Sequence, residues 1–302
     1  MTKYDEMTIQ TNRHMKKCTF YFGLLAMLLM AGCKDEAEQI PAYLRLEPFV
    51  VNESGGAAWQ KITEGWLYVN GEFLGAYTLP ATVPVLAAGE SEVIVFPGVK
   101  ENGIRLTPNI YPFLTRYETT LNLAPPATAA VQPVTAYSPS VILPFNGRGD
   151  FDDASTLQFE NRDSDTITTY SLTSMGAFAG QSLRMQVDTA HPLIQIASEK
   201  AELPATAAQE VWLELHYNAD MPFLLSLLGS TGGSNEIAQS VYLFNETEGW
   251  NKIYLNLTEF LVVGLQEEYQ LSFRVSLPRN EQGKYTQNDG TVMLDNIRLL
   301  HF

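Results

Sequence analysis

The sequence predicts an all-β protein made of two antiparallel β-sandwiches. Short apolar runs alternate with polar residues along most of the chain, and Gly, Asn and Pro separate these runs at short intervals. This spacing favours sandwiches over the alternating strands and helices of a parallel α/β sheet. A small sandwich is therefore expected over residues 41–124 and a larger one over 136–302.

The N-terminal region has the pattern of a secretory signal peptide, a short basic segment followed by an apolar run. Met15-Lys16-Lys17 precedes an apolar run at 20–30, so translation is expected to begin at Met15 and the signal peptide to occupy 1–32. The run of about 11 residues is shorter than the roughly 20 that span a bilayer. Cleavage before Cys33 would leave a mature chain of 270 residues, 302 less 32.

Two short motifs follow this run. Leu29-Met30-Ala31-Gly32-Cys33 resembles the lipobox of bacterial lipoproteins, and Lys34-Asp35-Glu36 resembles the acidic export signal of Bacteroidota. The resemblance implies that Cys33 carries lipid, that 33–42 is a short acidic tether, and that the protein sits on the outer face of the outer membrane. Two or three acyl chains would anchor it stably.

Composition excludes several classes of function. The leader carries four basic and two acidic residues, so its removal changes the net charge from −15 to −17. Such a chain is unsuited to binding nucleic acid or an anionic lipid surface. The two cysteines are Cys18 in the leader and Cys33 at the cleavage point. The folded body therefore lacks disulfides, thiolate metal sites and cysteine nucleophiles.

The first module is predicted to start with a strand at 43–51, which Pro48 restricts to a sheet edge or a bulge. Asn70-Gly71 lies between two apolar runs and predicts a two-residue hairpin, because both residues tolerate positive φ. Gly75 is expected to form a bulge in the returning strand. Further strands are expected at 90–96 and 116–123, with turns at Pro97-Gly98 and Asn102-Gly103.

The span from Val69-Asn70-Gly71 to Leu79-Pro80 resembles the small β modules of PEGA type and their carboxypeptidase-regulatory relatives, which implies a non-catalytic module. Four aromatic residues of this region leave two alternatives open: Trp59, Trp66, Tyr68 and Tyr77. Alternation puts Trp66 and Tyr68 on one face of a strand. They either form a binding surface or, as we expect, pack into the core.

A Pro/Ala-rich stretch at 125–135 is expected to be a semi-extended connector, because proline cannot donate to a β-ladder. Nine strands are predicted beyond it, at 157–161, 166–172, 182–188, 211–218, 223–228, 240–244, 251–257, 269–276 and 291–300.

Four segments of this second module resemble the galactose-binding-like jelly rolls of carbohydrate-binding modules. They are Gly180-Gln181-Ser182-Leu183-Arg184, Val211-Trp212-Leu213-Glu214-Leu215, 249–257 and 290–299. The resemblance implies a jelly-roll sandwich over 136–302. It does not specify a ligand, because these are scaffold positions and variable loops hold the ligand.

A cluster of carboxylates could supply hard oxygen ligands to Ca²⁺, which takes six to eight of them. The residues are Asp150, Asp152, Asp153 and Asp295, with Glu160 nearby in sequence. The resemblance implies a structural calcium near the chain ends, and the alternative is a solvated acidic cluster. No other cofactor is expected.

Two tripeptides, Asp165-Thr166-Ile167 and Asp188-Thr189-Ala190, resemble the acceptor of the O-glycosylation system of Bacteroidota. The resemblance implies that Thr166 and Thr189 carry glycans. Both would need to lie on exposed turns.

Catalysis is not expected. The mature chain has three histidines, His191, His216 and His301, without metal-ligand spacing, and it has no nucleophile elbow or phosphate loop. A hydrolase built on the jelly roll remains an alternative, because the members of a Ser-His-Asp triad meet only in space.

Two binding functions remain open. The short tether and the PEGA resemblance indicate an accessory or assembly subunit that binds an outer-membrane protein complex. The alternative is a glycan-binding lipoprotein for polysaccharide capture, indicated by the jelly-roll resemblance and by 15 Phe, 14 Tyr and 4 Trp. Flat rings on an open sheet face would favour a glycan, and a contiguous apolar patch on the first module would favour a protein partner.

Overall fold

Nearly all regular structure is β-strand, as the alternation predicts. The computed structural model describes residues 38–52, 59–167, 170–232 and 236–302, so the signal peptide, Cys33 and Lys34-Asp35-Glu36 lie outside the described residues. Residues 42–302 form one compact unit. In the described ranges, no helix combines the length and apolar character that a membrane crossing requires.

The first module is a small β-sandwich. Its strands are β1 (Ala42–Leu46), β2 (Val50–Val51), β3 (Glu64–Val69), β4 (Glu72–Thr78), β5 (Ala81–Val85), β6 (Gly89–Lys100), β7 (Pro108–Ile110), β8 (Tyr117–Leu123), β9 (Thr128–Val131) and β10 (Val134–Thr135). One sheet has the order β5-β1-β9, the other has β4-β3-β6-β7 with β8 also on β6, and β2 pairs with β10. Leu44, Leu67 and Val95 meet in the core between the two larger sheets.

The local turn chemistry follows the sequence at most positions. Asn70 (φ 51°) and Gly71 (φ 82°) form the predicted hairpin turn. Gly75 (φ 145°) lies opposite a register shift, which confirms the bulge. The predicted turn at Pro97-Gly98 is wrong, because β6 continues through it to Lys100. Two neighbouring segments keep β6 extended at Pro97-Gly98. β3 pairs with it along one side, and on the other side Pro97 O accepts a hydrogen bond from Tyr111 N.

The Pro/Ala-rich stretch is more than a connector. Thr128–Val131 forms β9, which pairs in parallel with β1, and Val134–Thr135 forms β10, which pairs in parallel with β2. The two residues of Pro125-Pro126 precede these strands, so they do not interrupt either ladder. The stretch therefore completes the first sandwich.

The second module is a jelly-roll β-sandwich. Its elements are β11 (Phe159–Asn161), β12 (Ser171–Thr173), β13 (Ser182–Asp188), β14 (Leu193–Ser198), β15 (Trp212–Ala219), β16 (Phe223–Ser230), β17 (Ile237–Phe244), β18 (Asn251–Asn256), α1 (Thr258–Gly264), β19 (Glu268–Ser276) and β20 (Asp289–Leu300). Two five-stranded antiparallel sheets face each other, and a core that includes Leu215, Leu225 and Phe273 lies between them.

We call β12-β13-β20-β15-β18 the junction sheet, because its outer face meets the first module, and β11-β14-β19-β16-β17 the far sheet. Three elements differ from the sequence prediction. The strand predicted at 166–172 is β12, which covers Ser171–Thr173, and residues 166 and 167 are not in a strand. β14 was not predicted, although Ile194 and Ile196 enter the core. The apolar segment Thr258–Gly264 forms a helix instead of loop, because Leu261 is buried in the core and Leu265 closes the last turn at φ 48°.

The two modules share a third apolar cluster. Val99, Tyr111 and Phe113 of the first module pack against Trp212 and Tyr254 of the second. The ring centroid of Tyr111 lies 5.4 Å from that of Trp212 and 4.9 Å from that of Tyr254. This cluster covers part of the outer face of the junction sheet.

Candidate binding face

The larger sheet of the first module carries aromatic side chains on its outer side, and we call this group the aromatic face. It consists of Trp66 and Tyr68 on β3, Phe73 on β4 and Phe96 on β6. Leu67 and Val69 enter the core, so strand alternation turns Trp66 and Tyr68 to the other side. The expectation that these two rings pack into the core is therefore wrong.

The rings form a row across three strands. Trp66 and Phe73 are nearly parallel, with an interplanar angle of 22° and centroids 5.4 Å apart. The Tyr68 ring lies 5.0 Å from that of Phe73 and 5.6 Å from that of Phe96. Phe73 is 49% exposed. Gly98 gives Trp66 room, because a Cβ there would lie 3.1 Å from the indole Nε1.

Charged side chains border the row. The Arg116 guanidinium lies 5.7 Å from the ring centroid of Phe96 and forms an ion pair with Glu118, and both charged groups are about half exposed. Glu118 pairs across the sheet with Ile94, whose position in β6 places it on the outer side with Phe96. Flat rings and adjacent hydrogen-bonding groups can together hold a ligand that has both apolar and polar surfaces.

The other two aromatic residues singled out in the sequence lie elsewhere. Trp59 is at the module junction, with its ring 5.7 Å from that of Phe178 and 6.5 Å from that of His216. Tyr77 packs against the core of the first module, and its hydroxyl donates to Leu74 O at 2.9 Å. Neither belongs to the aromatic face.

The outer face of the junction sheet also carries large side chains, but the first module covers them. Trp212 and Tyr254 are 0% and 2% exposed. Glu214, which is directly opposite Tyr254 in the β15–β18 ladder, is fully buried as well. The rings of this face are therefore not available to stack on a ligand.

Glu214 is the centre of a buried polar network that joins the modules. It accepts hydrogen bonds from Tyr111 Oη at 2.7 Å, Tyr137 Oη at 2.5 Å and Lys252 Nζ at 2.5 Å. Burial by itself would raise the pKa of Glu214, but Lys252 and Arg298 bring that pKa below its usual value. Glu214 is therefore a charged structural group.

The histidines have different environments. Burial, with the nearby charges of Lys252 and Arg298, lowers the pKa of His216 to about 2. His216 is thus neutral, and its ring packs 4.1 Å from that of Phe178. His191 Nδ1 lies 2.6 Å from Asp165 Oδ2, and this hydrogen bond raises the pKa of the partly exposed His191. His301 Nδ1 lies 3.1 Å from Phe302 O.

Two of the carboxylates considered for calcium accept hydrogen bonds from the protein. Asp152 Oδ1 accepts from Gln181 N at 2.7 Å, and Asp295 Oδ2 accepts from Ser182 Oγ at 2.6 Å. Asp150 is half-buried and Asp153 is exposed. In the described part of the chain, no three His, Cys, Asp or Glu side chains are grouped so that they could hold a metal ion. The calcium site therefore stays a prediction, and the arrangement of these carboxylates does not support it.

The two candidate glycosylation turns have similar geometry. Asp165 Oδ1 accepts from Ile167 N, and Asp188 Oδ1 accepts from Ala190 N, so each aspartate closes a turn around its threonine. Thr166 and Thr189 are both exposed. His191 connects the turns, because its backbone N–H donates to Asp188 and its ring contacts Asp165.

The outer face of the far sheet is polar around Gln270. Gln270, which is buried, donates to Glu160 Oε1 at 2.9 Å and to Ser198 O at 2.6 Å, and it accepts from Arg162 Nη2 at 2.7 Å. A cleft of about 350 Å³ lies beside these residues. The buried Gln270 amide already has protein partners for its hydrogen bonds. The cleft is therefore a weaker candidate for a binding site than the aromatic face.

No family model matches the chain, and no curated protein matches it. Solved structures that are similar include the enzymatically active domain of bacteriophage CBA120 tailspike protein 4, with 14% identity, a TM-score of 0.38 and coverage of 59% of this chain. The chain spans only 25% of that structure. With a TM-score below 0.5, this similarity carries no inference about activity.

Carbohydrate-binding modules are also among the similar structures. The CBM22-2 xylan-binding domain from Paenibacillus barcinonensis Xyn10C has 12% identity and a TM-score of 0.37, with 51% of this chain and 98% of that chain covered. A family 11 module from Clostridium thermocellum has 11% identity and a TM-score of 0.34, with 50% and 91% covered. These TM-scores too are below 0.5, so the ligands of those modules are not transferred to this chain.

Proposed function

We propose that this chain is a non-catalytic glycan-binding protein and that the aromatic face is its binding surface. One observation carries the proposal: Phe73 is 49% exposed on the outer sheet face, and its ring stacks on that of the partly exposed Trp66. Such rings can stack on the apolar C–H face of a sugar, because they offer flat apolar area with little conformational entropy to lose. Arg116 and Glu118 at the border can bond to hydroxyl groups and fix the orientation of the sugar.

A binding role also suits His216 better than catalysis does. A general base must be accessible and must titrate near the working pH, whereas His216 is buried and neutral. This histidine therefore does not support the hydrolase alternative.

The second candidate is the expected subunit of an outer-membrane protein complex. It is favoured by the continuity of the apolar surface, in which Ile94 lies beside Phe96 and the row continues through Tyr68 to Phe73. Contiguous exposed apolar surface commonly marks a protein interface. Both candidate functions use the aromatic face, so they differ in what binds to it, a glycan or a protein.

Affinity electrophoresis through gels that contain neutral polysaccharides would test the main proposal. Xylan, β-glucan, galactan and mannan each expose pyranose faces, and we expect at least one to retard the protein. Phe73→Ala should weaken that interaction about tenfold, because truncating a central aromatic anchor costs more than about 1 kcal/mol. Leu243→Ala is the matched control, since Leu243 is 61% exposed on the other module.

The result can contradict the proposal. If no polysaccharide retards the protein, and crosslinking in intact cells joins the aromatic face to a membrane protein, the complex subunit is the correct function. If a polysaccharide binds Phe73→Ala and the parent protein equally, the aromatic face is not the site.

The lipid anchor and the glycans remain sequence predictions. We propose that Cys33 is acylated and that the protein faces the cell exterior at the outer membrane, with the first module held near the membrane by the short tether. The exposure of Thr166 and Thr189 supports their modification. Mass spectrometry of protein extracted from cells tests both: a free thiol at Cys33, or a mass unchanged by chemical deglycosylation, would contradict the corresponding prediction.

A further inference from the structure

A small cavity lies at the module junction, and we call it the junction pocket. It is lined by Lys61, Thr63, Lys100 and Gly103 of the first module and by Lys252, Ile253 and Tyr254 of the second. Its volume is about 40 Å³. One water molecule needs roughly 10–15 Å³ on this measure, so the pocket has room for about three heavy atoms. A carboxylate, or part of a sulfate, has this size.

The lining has an unusual charge. Three of its residues are lysines, and no carboxylate belongs to the lining formed by the described residues. The whole protein, by contrast, has 34 acidic and 19 basic residues. The pocket therefore concentrates positive charge in an acidic protein, which would attract an anion locally.

Nearby carboxylates compensate this charge only in part. Lys252 Nζ donates to Glu214 at 2.5 Å, and Lys100 Nζ lies 3.9 Å from Glu64 Oε1. Lys61 Nζ donates to the neutral amide oxygen of Asn251. Partial burial and the proximity of Lys100 lower the pKa of Lys61, so its charge is disfavoured there. An anion between Lys61 and Lys100 would remove this repulsion.

The pocket is also fixed in shape. Lys61 N donates to Tyr254 Oη at 2.9 Å, and Asn102 N donates to Tyr254 O at 2.8 Å. The polypeptide on both sides of the pocket is thus tied to β18. A preformed site loses little conformational entropy when it binds a ligand.

We propose that the junction pocket binds the anionic group of a ligand, a carboxylate or a sulfate ester, between Lys61 and Lys100. The anion can come from an acidic sugar or from a free inorganic ion. The pocket and the aromatic face involve different residues, so this proposal goes beyond the proposed function and can fail independently of it.

Isothermal titration calorimetry on the full chain would test the pocket. The probes are sodium sulfate, sodium glucuronate and galactose 6-sulfate, each compared with sodium chloride at equal ionic strength and with neutral galactose. We expect the sulfate or carboxylate probes to bind and chloride and galactose not to bind. Tighter binding of the sugar acids than of sulfate would indicate an acidic glycan, and the reverse order would indicate a free ion.

Variants locate the site. Lys100→Gln and Lys61→Gln should each weaken binding about tenfold, because each removes one charge-assisted hydrogen bond. Lys61 is exposed and its ammonium donates to the Asn251 amide, so Lys61→Gln keeps the proposal testable if Lys100→Gln folds poorly. Lys284→Gln, in a distant exposed loop, is the matched control. Binding that is absent, or equal in Lys61→Gln and the parent, would overturn the proposal.

Discussion

The two modules treat the outer faces of their sheets in opposite ways. In the first module, Trp66 and Phe73 stand on the outer side of the larger sheet, where Trp66 is partly exposed and Phe73 is 49% exposed. In the second module, Trp212 and Tyr254 stand on an equivalent face and are almost fully buried, because the first module packs on them. The same strand pattern thus gives a candidate binding surface in one module and an interface in the other.

This difference shows how a jelly roll can lose one face to a partner domain. The covered face contains Glu214 and Lys252, a charged pair that an isolated sheet would leave in water. Because the pair is buried, it depends on two tyrosine hydroxyls for its remaining hydrogen bonds, Tyr111 of the first module and Tyr137, which follows that module's last strand. The aromatic face has no comparable dependence and should tolerate substitution.

The largest effect is expected from breaking the covered pair. Glu214→Ala should lower the free energy of unfolding by about 3–5 kcal/mol, because it leaves the Lys252 charge buried without its partner. Urea unfolding measures the change. Glu118→Ala removes a carboxylate from an exposed pair and should cost less than about 1 kcal/mol. A similar loss of unfolding free energy in Glu214→Ala and Glu118→Ala would contradict the proposed difference between the covered face and the open face.

A smaller effect is expected from two titratable neighbours on the covered face, His216 and Asp295, which pair across β15 and β20. The pKa of His216 is lowered to about 2 from 6.5, so the unfolded chain gains a proton below pH 6.5 that the folded chain does not, and stability falls with acid. Burial raises the pKa of Asp295 to about 7 from 3.8, so its contribution to stability falls as pH rises through this range.

Between pH 4.5 and 6.5 these two slopes oppose each other. We expect Asp295→Asn to make stability rise more steeply with pH than in the parent, and His216→Phe to make it fall, each by up to ~1.4 kcal/mol per pH unit. Urea unfolding at pH 4.5, 5.5 and 6.5 would measure the slopes. Parallel curves for both variants and the parent would show that neither group titrates as its burial requires.

The smallest effect is expected on the open face. Phe73→Ala should change the free energy of unfolding by less than about 0.5 kcal/mol, because the side chain lies outside the core. Leu67→Ala, on the inner side of the adjacent strand, should cost about 2–5 kcal/mol. A cost for Phe73→Ala as large as that for Leu67→Ala would mean that the aromatic face is structural.

Local chemistry made part of this molecule predictable. A two-residue hairpin turn requires positive φ at both positions, and Asn70 and Gly71 tolerate it, so these two residues between apolar runs were enough to predict the hairpin. Alternation predicted the class of fold and most strands of the second module. It did not predict β14, because the alternating run that contains Ile194 and Ile196 is only six residues long. It did not predict α1 either, because the burial of Leu261 there outweighs a weak helix propensity.

The candidate sites were less predictable because they depend on contacts between distant residues. Alternation shows that Trp66 and Tyr68 share a face, but a period of two does not say which face is covered. The junction pocket joins Lys61 and Lys100 to Lys252, more than 150 positions along the chain. No local sequence pattern specifies a contact between residues so far apart. The sequence by itself therefore determined the strands and turns. The packing of one module on the other decided which rings and charges remain accessible to a ligand.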